Sequence, residues 1–130
     1  MDDEKSRIVR ERMDEARETL LEAETLLAQD LRRGVINRSY YAMFYAVLAL
    51  ASSKGQVISK HTHAIAFFDK EFVRKGIFPK EISRSLHFGF EDRQTRDYGE
   101  IWEIDRADVE ATFQDAKNFV EAIENYLKHL

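Results

Sequence analysis

The segment "LRRGVINRSYYAMFYAVLALASS", residues 31–53, carries apolar side chains on two adjacent helical faces at once. Ile36, Tyr40, Met43, Val47 and Leu50 recur at spacings of three and four and form one line, and Tyr41, Phe44, Leu48 and Ala51 form the next. A third line, Ser39, Ala42, Ala46, Ala49 and Ser53, is small throughout. A helix with a single apolar stripe can lie on a surface. One that is apolar over this much of its circumference has to be enclosed, and the small line lets a neighbouring backbone come close. The chain must therefore supply enough other helices to surround this one.

It has the composition to do so. There is one proline and there are five glycines in 130 residues, with no convincing strand alternation, no internal repeat and no low-complexity linker. Residues 3–28 carry one stripe, Val9, Met13, Ala16, Leu20, Ala23 and Leu27. Gly55 ends the helix over 31–53. Ser59 is the expected N-cap of a helix over 61–75, and Gly76 suits its left-handed C-terminal position. Pro79 opens a helix over 80–96. Asp105 caps a last helix over 106–130, whose stripe is Val109, Phe113, Ala116, Val120, Ile123, Leu127 and Leu130. The apolar residues of "DYGEIWEI" predict a connection pinned to the body. The expected fold is all-α, an up-and-down antiparallel four-helix bundle with a fifth helix, in a single domain over 1–130.

Composition narrows the function classes. The chain has no cysteine, which excludes disulfides and thiolate metal sites and makes a reducing cytoplasm the expected location. The charged N-terminal stretch "MDDEKSRIVRERMDEARETL" is expected to be neither a signal nor a transit peptide. The run over 40–51 is too short to span a bilayer, so no membrane role is expected. The net charge of −4 argues against a general nucleic-acid binder, so any such role must rest on a local patch.

Two places carry candidate chemistry. Ile82, Leu86 and Gly89 follow the spacing of a buried stripe, and the next position on it is Arg93. An arginine that continues an apolar stripe must find a partner, reach a cleft or face another subunit, because an unpaired buried charge is costly. Equally, Arg93 and Arg96 stand in a last helical turn, where cations interact favourably with the terminal carbonyls by roughly 0.3–1 kcal/mol. In "INRSYYAMFYA", Asn37 begins the line of Tyr41, Phe44 and Leu48, and a buried amide needs partners. Tyr40 and Tyr45 read as amphipathic core residues with their hydroxyls at the rim. His61 and His63 are two apart and diverge on a helix, and His87 and His129 have no neighbouring ligand pattern, so neither metal nor cofactor is expected. No glycine-rich phosphate loop or nucleophile elbow is present.

The stretches "NRSYYAMFYAVLALASSKG", "SKHTHAIAFFDKEFVRKG" and "RQTRDY", in that order and spacing, resemble the HEPN domain family (higher eukaryotes and prokaryotes nucleotide-binding), within it the small stand-alone prokaryotic members. The resemblance spans about residues 4–127. It implies a helical bundle that dimerises, a minimal nucleotidyltransferase as partner in a toxin–antitoxin-like pair, and RNA or a nucleotide as ligand. Active members are metal-independent ribonucleases whose motif is an arginine followed, after four to six residues, by a histidine, two copies combining across a dimer cleft. Carried onto this chain, the arginine is Arg93 and the catalytic set is Arg93, Asp97 and Tyr98. The ligand-binding set is Asn37, Arg38, Tyr41, Arg93 and Arg96.

The motif histidine is absent, since Tyr98, Gly99 and Glu100 occupy its positions. Cleavage by 2′-hydroxyl attack needs a group that exchanges protons near neutral pH, as histidine does. A phenol titrating at about 10 and a carboxylate at about 3.9 are both poorly matched. The expectation is a nucleotide- or RNA-binding component that holds phosphate through Arg93. An endoribonuclease with a degenerate motif and a purely structural assembly module are the alternatives. The resemblance also makes Tyr98 a candidate for nucleotide attachment by the partner enzyme.

Overall fold

The structure, a computed structural model, describes the backbone of residues 2–98 and 104–130, together with their side chains apart from those of residues 92–98. Five helices follow one another: α1 (Asp3–Ala28), α2 (Arg32–Ser53), α3 (His61–Phe68), α4 (Lys80–Tyr98) and α5 (Arg106–Lys128). A π-helical turn, Asp69–Val73, continues α3 without a break. No strand occurs among the described residues, and none of their helices is long and apolar enough to cross a membrane.

The enclosure demanded by α2 is met. It packs against α1, α3, α4 and α5, most extensively against α1, and α5 also reaches α1 and α4. Both apolar lines turn inward: Ile36, Tyr40, Met43, Val47 and Leu50 are buried, as are Phe44 and Ala51, while Tyr41 and Leu48 are partly buried. The small line is fully enclosed at Ser39, Ala42, Ala46 and Ala49, and α1 contributes its own small residues Ala16 and Ala23 to the core. Each buried Leu, Val or Phe in such a core contributes roughly 1.5–3 kcal/mol. Phe119, off the expected stripe of α5, is also fully buried, and Leu130 at the end of that stripe is exposed.

Local signals set the helix ends. The Asp2 carboxylate accepts from the Lys5 N–H at 2.7 Å, and Asp105 accepts from Ala107 N–H at 2.8 Å. Gly55 and Gly76 adopt φ of 73° and 76°, the left-handed conformation that glycine takes without strain. The expected cap of α3 is corrected: Lys60, not Ser59, is the N-cap, and no side chain caps it. The expected α-helix to residue 75 is also corrected, because beyond Phe68 the backbone widens so that Arg74 N–H reaches Asp69 C=O at 2.8 Å. Phe68 and Phe72 are both fully buried across this turn, against Phe78, Phe119 and Tyr126.

One polar knot ties three chain segments at the opposite end. Asp30, at φ 57°, sits in the α1–α2 turn. Its carboxylate accepts from Arg32 Nε at 2.7 Å and from Arg106 Nη1 at 2.9 Å, while Arg32 Nη1 donates to the Ile104 carbonyl at 2.6 Å. Ile104 packs on Val35, Ile36 and Val109, so this end of the α4–α5 connection is pinned as expected. Gly99, Glu100, Ile101, Trp102 and Glu103 lie outside the described residues.

The hydrogen bond from Arg32, and then that from Arg106, holds the Asp30 carboxyl below its ordinary value. A depressed carboxylate stabilises the fold above its unfolded pKa, and that contribution disappears as the pH falls through the folded value. Asp30→Asn keeps a residue that tolerates positive φ. It should melt below the wild type at pH 7, with the gap closing below about pH 4; thermal melts across pH check this, and a gap that persists in acid would contradict it.

Candidate functional site

The site forms where α2, the start of α3 and the second half of α4 meet. Its base is Tyr40. With its side chain fully buried, the phenol needs a partner for its hydroxyl. It finds one across the bundle in His61 Nδ1, at 2.6 Å. The expectation of a hydroxyl at the rim is thereby corrected, because α3 begins directly over it. With the imidazole proton on Nε2, the phenolic O–H donates to Nδ1; with a proton on Nδ1, Nδ1–H donates to the phenol oxygen and Nε2 becomes the basic nitrogen of the neutral ring.

Aromatic rings frame this pair. His61 stacks on Phe44 with centroids 4.2 Å apart and lies edge-on to Tyr41 at 5.6 Å. Phe90 of α4 closes the far side, 6.1 Å from His61 and 5.9 Å from Tyr40. Such pairs add about 0.5–1.5 kcal/mol each beyond their buried area. Helix α4 reaches this depth because Gly89 has no side chain. A Cβ there would stand 3.0 Å from Met43 Cε and 3.3 Å from the Tyr40 ring. The buried line Leu86–Gly89 is therefore the face that α4 turns to α2, and Arg93 comes one helical turn after Gly89 on the same helix.

Asn37, Arg38 and Tyr41 come together, but mainly with one another. Asn37 Oδ1 accepts from Arg38 Nη2 at 2.8 Å and from Nε at 3.1 Å. The guanidinium lies 5.1 Å from the Tyr41 ring centroid and pairs with Glu22 of α1 at 3.4 Å. The amide that begins an apolar line is thus satisfied by its neighbour, and the Arg38 charge is partly countered. Tyr45 completes the group, its hydroxyl pushed up by burial and then by the nearby Glu15 charge. The side chains of Arg93, Arg96, Asp97 and Tyr98 lie outside the described residues.

Two features are invisible to sequence reasoning. In the sequence, His61 stands out only as a possible metal ligand, and its pairing with Tyr40 spans the α2–α3 connection, which no helical spacing reports. The second is Asp69 in the π turn, which accepts from Ser83 Oγ at 2.5 Å and contacts His87 Nε2 at 2.6 Å. Widening of the helix there is the backbone change that accompanies this clamp onto α4. Among the described residues no group of three or more His, Cys, Asp or Glu could hold a metal ion.

The fold is that of a small all-α domain, with an aromatic and imidazole cluster where α2, α3 and α4 meet. Sequence comparison narrows the class: residues 9–126 match the HEPN domain model, and the chain belongs to that family. It is 39% identical over 127 residues to a UPF0332 protein of Thermotoga maritima, covering 98% of this chain and 96% of that one. Two proteins of Methanocaldococcus jannaschii, each named "Putative toxin", are 28% identical, with 88% of this chain covered and 78% and 85% of theirs.

The Tyr40–His61 bond is testable by Tyr40→Phe, which removes only the hydroxyl. A loss of about 1 kcal/mol is expected, read from urea unfolding of variant and wild type. Equal midpoints would show that the bond adds nothing to stability.

Proposed function

We propose that this chain is the nucleotide- or RNA-binding HEPN component of a toxin–antitoxin-type pair, holding phosphate through Arg93 in the cleft of a homodimer, with a minimal nucleotidyltransferase as its partner. The observation that carries the reading is the depth at which α4 is seated. Gly89 and Phe90 rest on the Tyr40–His61 pair, and Arg93 follows Gly89 by one turn of the same helix, which supports the reading. Single-stranded nucleic acid is held by cations together with aromatic rings on which bases stack, and Tyr41, His61 and Phe90 of this cluster are only partly buried. The relatives named as toxins support the cellular role. Nucleotide attachment at Tyr98 by the partner belongs to the same reading and gives the pair a means of control.

Calorimetry with nucleotides and short RNAs tests it. Arg93→Ala should weaken binding about 10- to 150-fold, the worth of a hydrogen bond to a charged group. Equal affinity of variant and wild type, or no heat with any of these ligands, would remove the reading.

A second reading, cleavage of the bound RNA, is favoured by the position of His61. The α4 motif lacks an imidazole, and His61 supplies one from another helix against Phe90, with its Nδ1 held by Tyr40. In cleavage, the imidazole whose Nδ1–H donates to the Tyr40 oxygen takes the proton of the 2′-hydroxyl at Nε2 as that oxygen bonds to phosphorus. The phosphorus–O5′ bond then breaks, and the departing oxygen takes up a proton from the imidazolium or from water. His61→Gln should lower cleavage about 10²–10⁴-fold and leave RNA affinity in place. A wild-type dimer that binds RNA and leaves it intact discards this second reading and keeps the first.

A further inference from the structure

The outward face of α4 carries a second feature. Lys80, Arg84 and Phe88 recur every four residues, so they share one line of the helix, and all three are exposed, Phe88 by 62%. Arg84 and Phe88 form one wall of a cleft of about 390 Å³ between α4 and α5. Met43 and Gly89 lie at its base, and Thr112 and Asp115 of α5 stand opposite. That volume falls in the range of small-ligand sites.

The charges along this line are not neutralised. Several arginines elsewhere are paired, Arg7 with Glu11, Arg12 with Glu15, Arg17 with Asp14 and Glu124, and Arg106 with Asp30 and Glu110, whereas Arg10 and Arg33 stand singly and apart from one another in the sequence. Lys80 and Arg84 make no ion pair among the described residues, and neither do Lys70 and Arg74 on the adjoining π turn. Of the acids nearby, Glu71 is taken by Lys75 and Asp69 by Ser83 and His87, while Glu81 and Asp115 line the cleft itself, so these four cations face two carboxylates there. The Asp69 clamp holds the π turn against α4, so these cations belong to one end of the molecule. In a chain of net charge −4, this is where a polyanion is attracted.

We infer that the α4–α5 cleft is a single-stranded RNA subsite, in which Phe88 stacks on a base and Lys80 and Arg84 hold its phosphates. Lys70 and Arg74 carry the strand onward, and the Asp115 carboxylate accepts from an exocyclic amino group of the base. The inference rests on the reading of this chain as an RNA binder and adds a binding surface on the opposite side of α4 from the Tyr40–His61 cluster. An isologous contact with a second copy fits less well, because a two-fold axis through Phe88 would bring these unpaired cations against their own copies.

The test measures binding of a short single-stranded RNA over a range of salt, with oligomeric state followed by sedimentation. Phe88→Ala should weaken binding about five- to 150-fold with the salt slope unchanged, and Phe88→Trp should restore it. The double variant Lys80→Ala/Arg84→Ala should lower the slope by about 0.7 for each phosphate that is no longer neutralised. Arg7→Ala, at a paired arginine on α1, should match the wild type. RNA binding retained by the Phe88 and Lys80/Arg84 variants overturns the subsite and leaves the reading of the protein intact. No binding by the wild type overturns both. Loss of the dimer in Phe88→Ala assigns the face to a second copy and overturns the subsite.

Discussion

Burial of α2 on nearly its whole circumference is the constraint on which the rest of the structure depends. Three lines of side chains point inward from it. The most extensive contact is with α1, which brings buried alanines of its own, and α3, α4 and α5 cover the rest. Such a core leaves no room for an unsatisfied phenol, so placing Tyr40 at its centre demands a partner from outside α2. His61 is that partner, and the short helix α3 is held where it is partly for that reason.

The same depth gives α4 two distinct faces. Toward α2 it offers Leu86 and Gly89, and the missing side chain at Gly89 lets Phe90 reach the Tyr40–His61 pair. Away from α2 it offers Lys80, Arg84 and Phe88 to solvent. A helix pressed this closely onto a rigid core is a good platform for binding groups, because its side chains are positioned by packing rather than by a mobile loop. The π turn adds to this. By widening the end of α3 it accompanies the inward placement of Phe68 and Phe72 and sets Asp69 against Ser83 and His87, so α4 is anchored along its first half as well.

Charge follows a corresponding division. On α1 and at the Asp30 knot, Arg7, Arg12, Arg17, Arg32 and Arg106 are paired with nearby acids and serve the fold. Around the π turn and the start of α4 the cations outnumber the acids left to them. A protein with an overall negative charge can thus present a local basic surface.

Much of this was legible in the residues. The three lines over 31–53 specified a central helix, the scarcity of proline and glycine specified a helical bundle, and Asp105, Gly55 and Gly76 marked their turns, because each of these signals acts within a few residues of itself. The resemblance at "NRSYYAMFYA" and "RQTRDY" pointed to the family. Other features were not legible because they depend on distant segments meeting. Asn37 looked like an orphan amide on an apolar face, and only folding showed Arg38 curled onto it. His61 looked like a stray histidine until α3 was laid over Tyr40. Asp69 was hidden in what read as an ordinary helix, since a widened turn has no pattern of its own and is set by what lies across from it. Local periodicity determined which elements form and which faces they bury. Tertiary packing alone decided which polar groups find each other, because those partners are brought together only by the burial of α2.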